Sequence, residues 1–206
     1  ALLAFATFIF DTLDVATRTA RAFPVKGTRP RGATPGEDQA QQAELVASAK
    51  DAAEHVMIVD LLRNDLGRLA TPAGVTVERL LDVVSVKNVH HLESTVAARL
   101  RDGVARSELL AALMPGGSIT GAPKSSAIEA IAALEDGPRG LYTGVLVAVD
   151  ELGALRSSLL IRTWLRPDQG TGALHVGGGI VADSDAEGEW QETLAKARAF
   201  GDVTSG

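Results

Sequence analysis

Several side chains in this sequence have the type and spacing to act on a small anion. Lys26 lies in FPVKGTRPRG (residues 23–32), between a Pro-Val pair and a Gly-Thr turn, with Arg29 and Arg31 close behind it. A lysine so placed is either a surface cation or a nucleophile. As a nucleophile it acts only as the neutral amine, a form that burial and neighbouring cations favour and a bound dianion opposes. Asp51 and Glu54 are three residues apart in one helical stretch, and Glu189 and Glu192 in another. That spacing puts each pair on one helix face. Two such faces brought together would suit Mg2+, which takes one or two protein carboxylates plus water and substrate oxygens. Alone, each pair reads more readily as a solvated face, and Glu192 is also an i,i+4 partner for Lys196.

Gly177, Gly178 and Gly179 interrupt HVGGGIVAD, which otherwise reads as a strand. Three glycines there fit either a nest of backbone N–H groups for an anion or tight sheet packing. Arg162, in LLIRTWL, has apolar neighbours on both sides, so it is expected to be buried and to need an anionic partner. Tyr142, the only tyrosine, stands beside a glycine-bounded turn. His90 and His91 are adjacent in VHHLEST, so one is expected inward and the other outward on a strand.

Composition narrows the classes. The 206 residues are 46% hydrophobic and 22% charged with net charge −6, ordinary for a soluble domain and unsuited to a broad nucleic-acid surface. There is no cysteine, which excludes disulfides and thiol catalysis and fits a cytoplasmic location. No apolar run reaches the roughly 18 residues of a membrane span. The opening ALLAFATFIF lacks a basic leader and reads as a buried strand cut into mid-domain.

Strands are expected over 4–10 and 15–25 as a hairpin with Asp11 and Asp14 between them, followed by a mobile loop, RPRGATPGED. Thr34-Pro35 should open a helix, with apolar periodicity over 39–66 and a stop at Gly67. VTVERLLDVVSV and VHHLESTVAARL read as consecutive strands. A short helix capped by Ser107 and another from Pro123 to Glu135 follow. YTGVLVAVD and LRSSLLIRTWL form a hairpin about an ELGA turn, ALHVGGGIVA is a further strand, and a helix over 184–200 closes the chain. Helices and hairpins in mixed order give an α+β fold with antiparallel sheet and outer helices, in one domain over residues 1–206.

Eight motifs occur in order: PVKGTRPRG, EHVMIVDLLRNDLGR, VHHLEST, PGGSITGAPK, GLYTG, IRT, GGGIVADS and EWQET. In that order they resemble the chorismate-utilising enzymes, which include anthranilate synthase component I, aminodeoxychorismate synthase component I, and the isochorismate and salicylate synthases. The resemblance covers the C-terminal part of the family's chain and implies an antiparallel β-sandwich with outer helices. It implies chorismate as substrate and Mg2+ as cofactor, with Glu54 and Glu192 as metal ligands and Asp51 and Glu189 as further or water-mediated partners. Tyr142, Arg162, the Gly177, Gly178 and Gly179 amides and Lys196 would bind the substrate's carboxylates. His91 matches the family's active-site histidine, His90 has a structural role, and Thr28 and Thr120 line the pocket.

Within the family, the lysine of P-[IV]-K-G-T resembles that of the aminodeoxychorismate synthases, where relatives of other activity carry another residue, often alanine. The resemblance then implies Lys26 as nucleophile, amination of chorismate at C4, and a glutamine amidotransferase partner supplying ammonia, on the way to 4-aminobenzoate and folate or a specialised aromatic product. The alternatives are an anthranilate or isochorismate/salicylate-type synthase, or a non-catalytic chorismate-binding module. One departure stands out. Relatives carry a Ser-Pro-Glu whose glutamate protonates the leaving hydroxyl, whereas AFATFIFD has no glutamate; Ala6 falls nearest that place and Asp11 is the closest acid.

Overall fold

The computed structural model describes residues 2–4, 11–165, 172–181 and 184–198. The first part of the chain forms β1 (Leu2–Ala4), β2 (Asp11–Asp14), β3 (Thr19–Ala22) and β4 (Val25–Pro30), then α1 (Pro35–Ala47) and α2 (Ala49–Gly67). The two long strands β5 (Ala70–Ser85) and β6 (Val89–Leu100) follow, then α3 (Arg106–Leu113), α4 (Gly117–Thr120) and α5 (Lys124–Leu134). The rest comprises β7 (Val145–Val149), β8 (Leu155–Leu159), β9 (Thr163–Leu165), β10 (Ala173–His175) and α6 (Ala186–Arg198). This is the expected α+β class, and every strand pair with a defined register is antiparallel.

The described residues fall into two compact units. One holds residues 11–118 and 147–157; the other holds 2–4, 119–146 and the described residues from 158 onward. We call them the lysine-bearing and the glycine-bearing unit.

The lysine-bearing unit is organised by β6. One of its edges pairs with β5; the other pairs first with β4 and then with β3. Its even-numbered side chains face the helices: His90 meets α1 and Ser94 meets α2. Leu92, Val96, Ala98 and Leu100 lie on that face and are buried, with Leu45, Ile58, Val59, Leu62 and Leu66 supplying the helical side of the core. Each fully buried leucine contributes about 2 kcal/mol of apolar burial. On the odd face the Arg79 guanidinium lies over Thr95 and Glu93, at 3.2 and 2.9 Å. Both histidines of VHHLEST are consequently buried, rather than one inward and one outward.

The apolar period predicts one helix over 39–66, and the structure has two. Ser48 leaves helical geometry (φ −72°, ψ 100°) and its side chain accepts from the Asp51 N–H, capping α2. Thr34 caps α1 in a box with Glu37, as expected. The loop before it is tied to α1: Arg31 makes a two-pronged bond to Asp38, at 2.8 Å on both prongs. The first hairpin is β2–β3, so Asp11 and Asp14 are strand residues and the turn is Val15–Arg18. Most of the expected 4–10 strand lies outside the described residues. Ser107 is inside α3 rather than at its cap; Glu108 accepts from the Ala105 N–H instead.

In the glycine-bearing unit, β1 and β10 flank β9. LRSSLLIRTWL does not run as one strand, because Arg162 takes a left-handed backbone (φ 48°) between β8 and β9. ALHVGGGIVA is strand only over its first three residues.

Candidate active site

Lys26 is placed by the glycine that follows it. Gly27 has φ +84°, and a Cβ there would lie 3.1 Å from Leu45 Cδ1 and 3.3 Å from Asp51 Cβ. Only glycine takes that conformation at that approach without strain. The register between β4 and β6 shifts at this point, from Lys26 opposite Leu92 to Thr28 opposite His91. The Lys26 side chain reaches α2, where Nζ is 2.8 Å from Glu54 Oε2. Beside it, Arg29 donates to Glu44 Oε1 at 2.8 Å and to Asp51 Oδ2 at 3.1 Å. Arg29 therefore has its charge met by two carboxylates, not one left to act on Lys26, and Asp51 and Glu54 each already hold a cation.

His91 Nδ1 lies 3.0 Å from Thr28 Oγ1 and 3.2 Å from the Gly27 carbonyl. A carbonyl only accepts, so a proton on Nδ1 suits this contact, and the lone pair of a neutral ring is then on Nε2. His91 thus points to the face of β6 opposite Leu92. His90 is structural, between Asp38 Oδ1 at 2.9 Å and Ser85 Oγ at 2.8 Å. Asp38 gathers four donors: two from Arg31, the Gly32 N–H and His90. The Arg31 bonds, first of all, hold its carboxyl well below the usual carboxylate range. Asp11, the nearest acid to the expected general acid, is buried in β2 and accepts from Ser157 Oγ at 3.1 Å.

In the glycine-bearing unit Gly177 and Gly178 are closely approached, whereas a Cβ on Gly179 would meet nothing within 4 Å. A Cβ on Gly177 would lie 2.7 Å from the Tyr142 hydroxyl, and one on Gly178 would lie 3.0 Å from Glu189 Oε2. Lys196 Nζ donates to the Gly177 carbonyl at 3.1 Å and pairs with Glu192 Oε1 at 2.6 Å. Glu189 accepts from Ser184 Oγ on one oxygen, while its Oε2 is buried with no hydrogen-bond partner among the described residues. The Tyr142 ring stacks on His175 with centroids 5.3 Å apart, and burial pushes its hydroxyl pKa up. Arg139, clamped by Glu135, lies 5.9 Å from the Tyr142 ring centre. Glycines 177–178, Tyr142, Glu189, Glu192 and Lys196 are thus one cluster.

Arg162 is exposed, not buried, because its left-handed backbone takes it out of the strand. Thr120 ends α4, half-buried. Among the described residues no group of three or more His, Asp and Glu side chains is placed to hold a metal ion, and no helix is long and apolar enough to cross a membrane. An open depression of about 530 Å³ along α2, lined by Ala53, Val56, Met57, Asp60, Leu61 and Asn64, contains none of the candidate residues.

Sequence reasoning passed over His55, Ser94 and His175. For His55 a signal existed: it falls on the same helical stripe as Ile58, Val59 and Leu62. For His175 there was none, since a strand's alternation does not say which ring will stack on it.

Comparison with known proteins identifies the family. The profile of the family described as chorismate binding enzyme matches residues 12–202. Aminodeoxychorismate synthase component 1 of Klebsiella aerogenes is 48% identical over 183 residues, covering 89% of this chain and 39% of that protein. Anthranilate synthase component 1 of Streptomyces coelicolor is 47% identical over 185 residues, covering 89% and 36%. The crystal structure of anthranilate synthase component I from Streptococcus pneumoniae superposes with a TM-score of 0.80 at 30% identity, covering 96% of this chain and 43% of that one. The chain thus spans about two fifths of the length of these relatives. On a profile that runs through nearly all of its length, and on relatives of close to half identity, the chain belongs to the chorismate binding enzyme family.

Proposed function

We propose that this chain is the chorismate-binding part of an aminodeoxychorismate synthase component 1, and that Lys26 is its nucleophile. The observation that carries the reading is the position of Lys26. Its amine stands 2.8 Å from Glu54, the residue we assign to the metal, on a strand bent by an obligatory glycine. The Lys26 amine attacks ring C2 and gives up a proton; both ring double bonds shift through the conjugated system, from C1=C2 to C1=C6 and from C5=C6 to C4=C5, and the C4 hydroxyl takes up a proton and departs as water. Ammonia then attacks C4, both double bonds shift back, and the lysine leaves, so the pyruvyl ether is retained. We assign the supply of ammonia to a glutamine amidotransferase partner.

Glu54 and Glu192 would hold Mg2+, with Asp51 and Glu189 behind them, and the cation would supply positive charge against the ring carboxylate. The buried Oε2 of Glu189, without a partner among the described residues, fits a site built for a cation or for water bound to one. Tyr142, Arg162, Lys196 and the Gly177–Gly179 amides would hold the substrate's carboxylates. His91, with its lone pair on Nε2, would face the ring, with Thr28 and Thr120 beside it.

A second reading, anthranilate synthase component 1, is favoured by the 47% identity to the Streptomyces coelicolor protein, within one point of the aminodeoxychorismate relative. Product analysis separates them. The intact gene product given chorismate, Mg2+ and ammonia should release a C4-aminated product that keeps pyruvate. Anthranilate with free pyruvate would overturn the proposal. Lys26→Ala should abolish amination while chorismate affinity stays within roughly severalfold, since a nucleophile acts on the chemical step; unchanged turnover would remove the nucleophile role.

A further inference from the structure

His55 follows Glu54 on α2 and is completely buried. Its Nδ1 is 3.3 Å from the Lys26 carbonyl, its Nε2 is 2.7 Å from Ser94 Oγ, and that oxygen is 2.9 Å from the Leu81 N–H. Every direction in this chain is fixed. The carbonyl only accepts, so Nδ1 is the protonated nitrogen and donates to it. In the neutral ring Nε2 must then accept, so the Ser94 hydroxyl donates to it, and Leu81 N–H donates to the Ser94 oxygen. Leu81 itself has a left-handed backbone (φ 57°), a conformation that costs energy in a branched residue.

The carbonyl held this way belongs to the residue before Gly27, where the β4–β6 register shifts. The imidazole grips the strand where the ladder slips, while the adjacent Glu54 grips the amine of the same lysine. We propose that His55 is a positioning residue for Lys26, holding its main chain against α2 so that its amine is presented at Glu54. This rests on the assignment of Lys26 as the reacting group, but its test does not depend on turnover.

The test is the reactivity of individual lysines toward an amine-directed reagent, trinitrobenzenesulfonate, read by peptide mass spectrometry on the intact gene product. Lys196 serves as internal reference, because it is also paired with a carboxylate and its side chain is only 23% exposed. In His55→Leu, Lys26 labelling should rise roughly fivefold, the fold-change expected for one lost hydrogen bond. Lys196 labelling should not change. His55→Asn, whose amide N–H can still reach the carbonyl, should return Lys26 labelling to near the parent rate. Unchanged Lys26 labelling in His55→Leu would overturn the proposal. So would a parallel rise at Lys196, or no recovery in His55→Asn, since these are the marks of a merely structural role. If His55→Leu does not accumulate, Ser94→Ala carries the test. It frees the ring to change tautomer and should raise Lys26 labelling about twofold to threefold, part of a hydrogen bond's worth; no rise would overturn the proposal. Retained amination in Lys26→Ala would overturn the assigned function and leave the labelling result standing, so the two failures are distinguishable.

Discussion

In the lysine-bearing unit, Lys26 and Arg29 each close on a carboxylate of α2, and behind those contacts lie a core of leucines and a buried histidine chain. In the glycine-bearing unit, Lys196 is shared between Glu192 and a backbone carbonyl, Glu189 has an oxygen with no donor among the described residues, and Arg162 stands exposed. The first arrangement holds charge in place through protein groups alone. The second gathers donors and acceptors around a glycine stretch where some remain unmet, which is how a surface looks when a ligand completes it. The difference teaches that glycine has two jobs here. Gly27 makes room for the protein's own side chains, whereas Gly177 and Gly178 make room for functional groups.

The same substitution in each unit tests that contrast. Gly27→Ala should lower stability by about 2–4 kcal/mol, since it forces an L-residue into φ +84° and crowds Leu45 and Asp51. Denaturant unfolding would measure it, and a loss well under 1 kcal/mol would mean the bulge is soft. Gly177→Ala should instead leave the unfolding midpoint nearly unchanged. It should raise the chorismate KM about tenfold, because its Cβ would press on the Tyr142 hydroxyl, the mobile end of a side chain worth roughly one good contact. If stability fell as far as in Gly27→Ala, the division between the two glycine roles would collapse.

Acid gives the smallest and most local effect. The buried His55 titrates below its ordinary value of 6.5, whereas the unfolded chain takes up the proton at that value. Its contribution to stability is therefore complete above the ordinary value and is lost as the pH falls through the lower, buried one. The thermal midpoint should fall as the pH drops below the ordinary value of 6.5, and His55→Asn should flatten that slope. An unaltered slope would mean that other groups set the acid response.

Much of the fold was legible because the signals were local. Thr34-Pro35 with Glu37, the stop at Gly67 and the helix from Lys124 to Leu134 all follow from caps and period, and the ordered motifs pointed to the family that the profile and relatives bear out. What failed came from single residues that break a pattern or from pairings distant in sequence. Ser48 splits a continuous apolar stripe because a single serine can satisfy the next helix's first turn. Arg162 reads as buried from its neighbours, yet one left-handed residue reverses it. In the site, Glu54 and Lys26 were each visible, but their pairing, and the histidine between strand and helix that accompanies it, depend on a register shift at one glycine that no periodicity encodes.

Asp38 carries a practical lesson for anyone transplanting the lysine motif between relatives. Its carboxylate takes both arms of Arg31, the Gly32 amide and the imidazole of His90, so the segment following Lys26 is pinned from α1. The portable module accordingly extends twelve positions past the lysine, from 26 to 38, and includes His90 on a remote strand. A graft that swapped only the five letters PVKGT would import the amine without the anchorage that aims it.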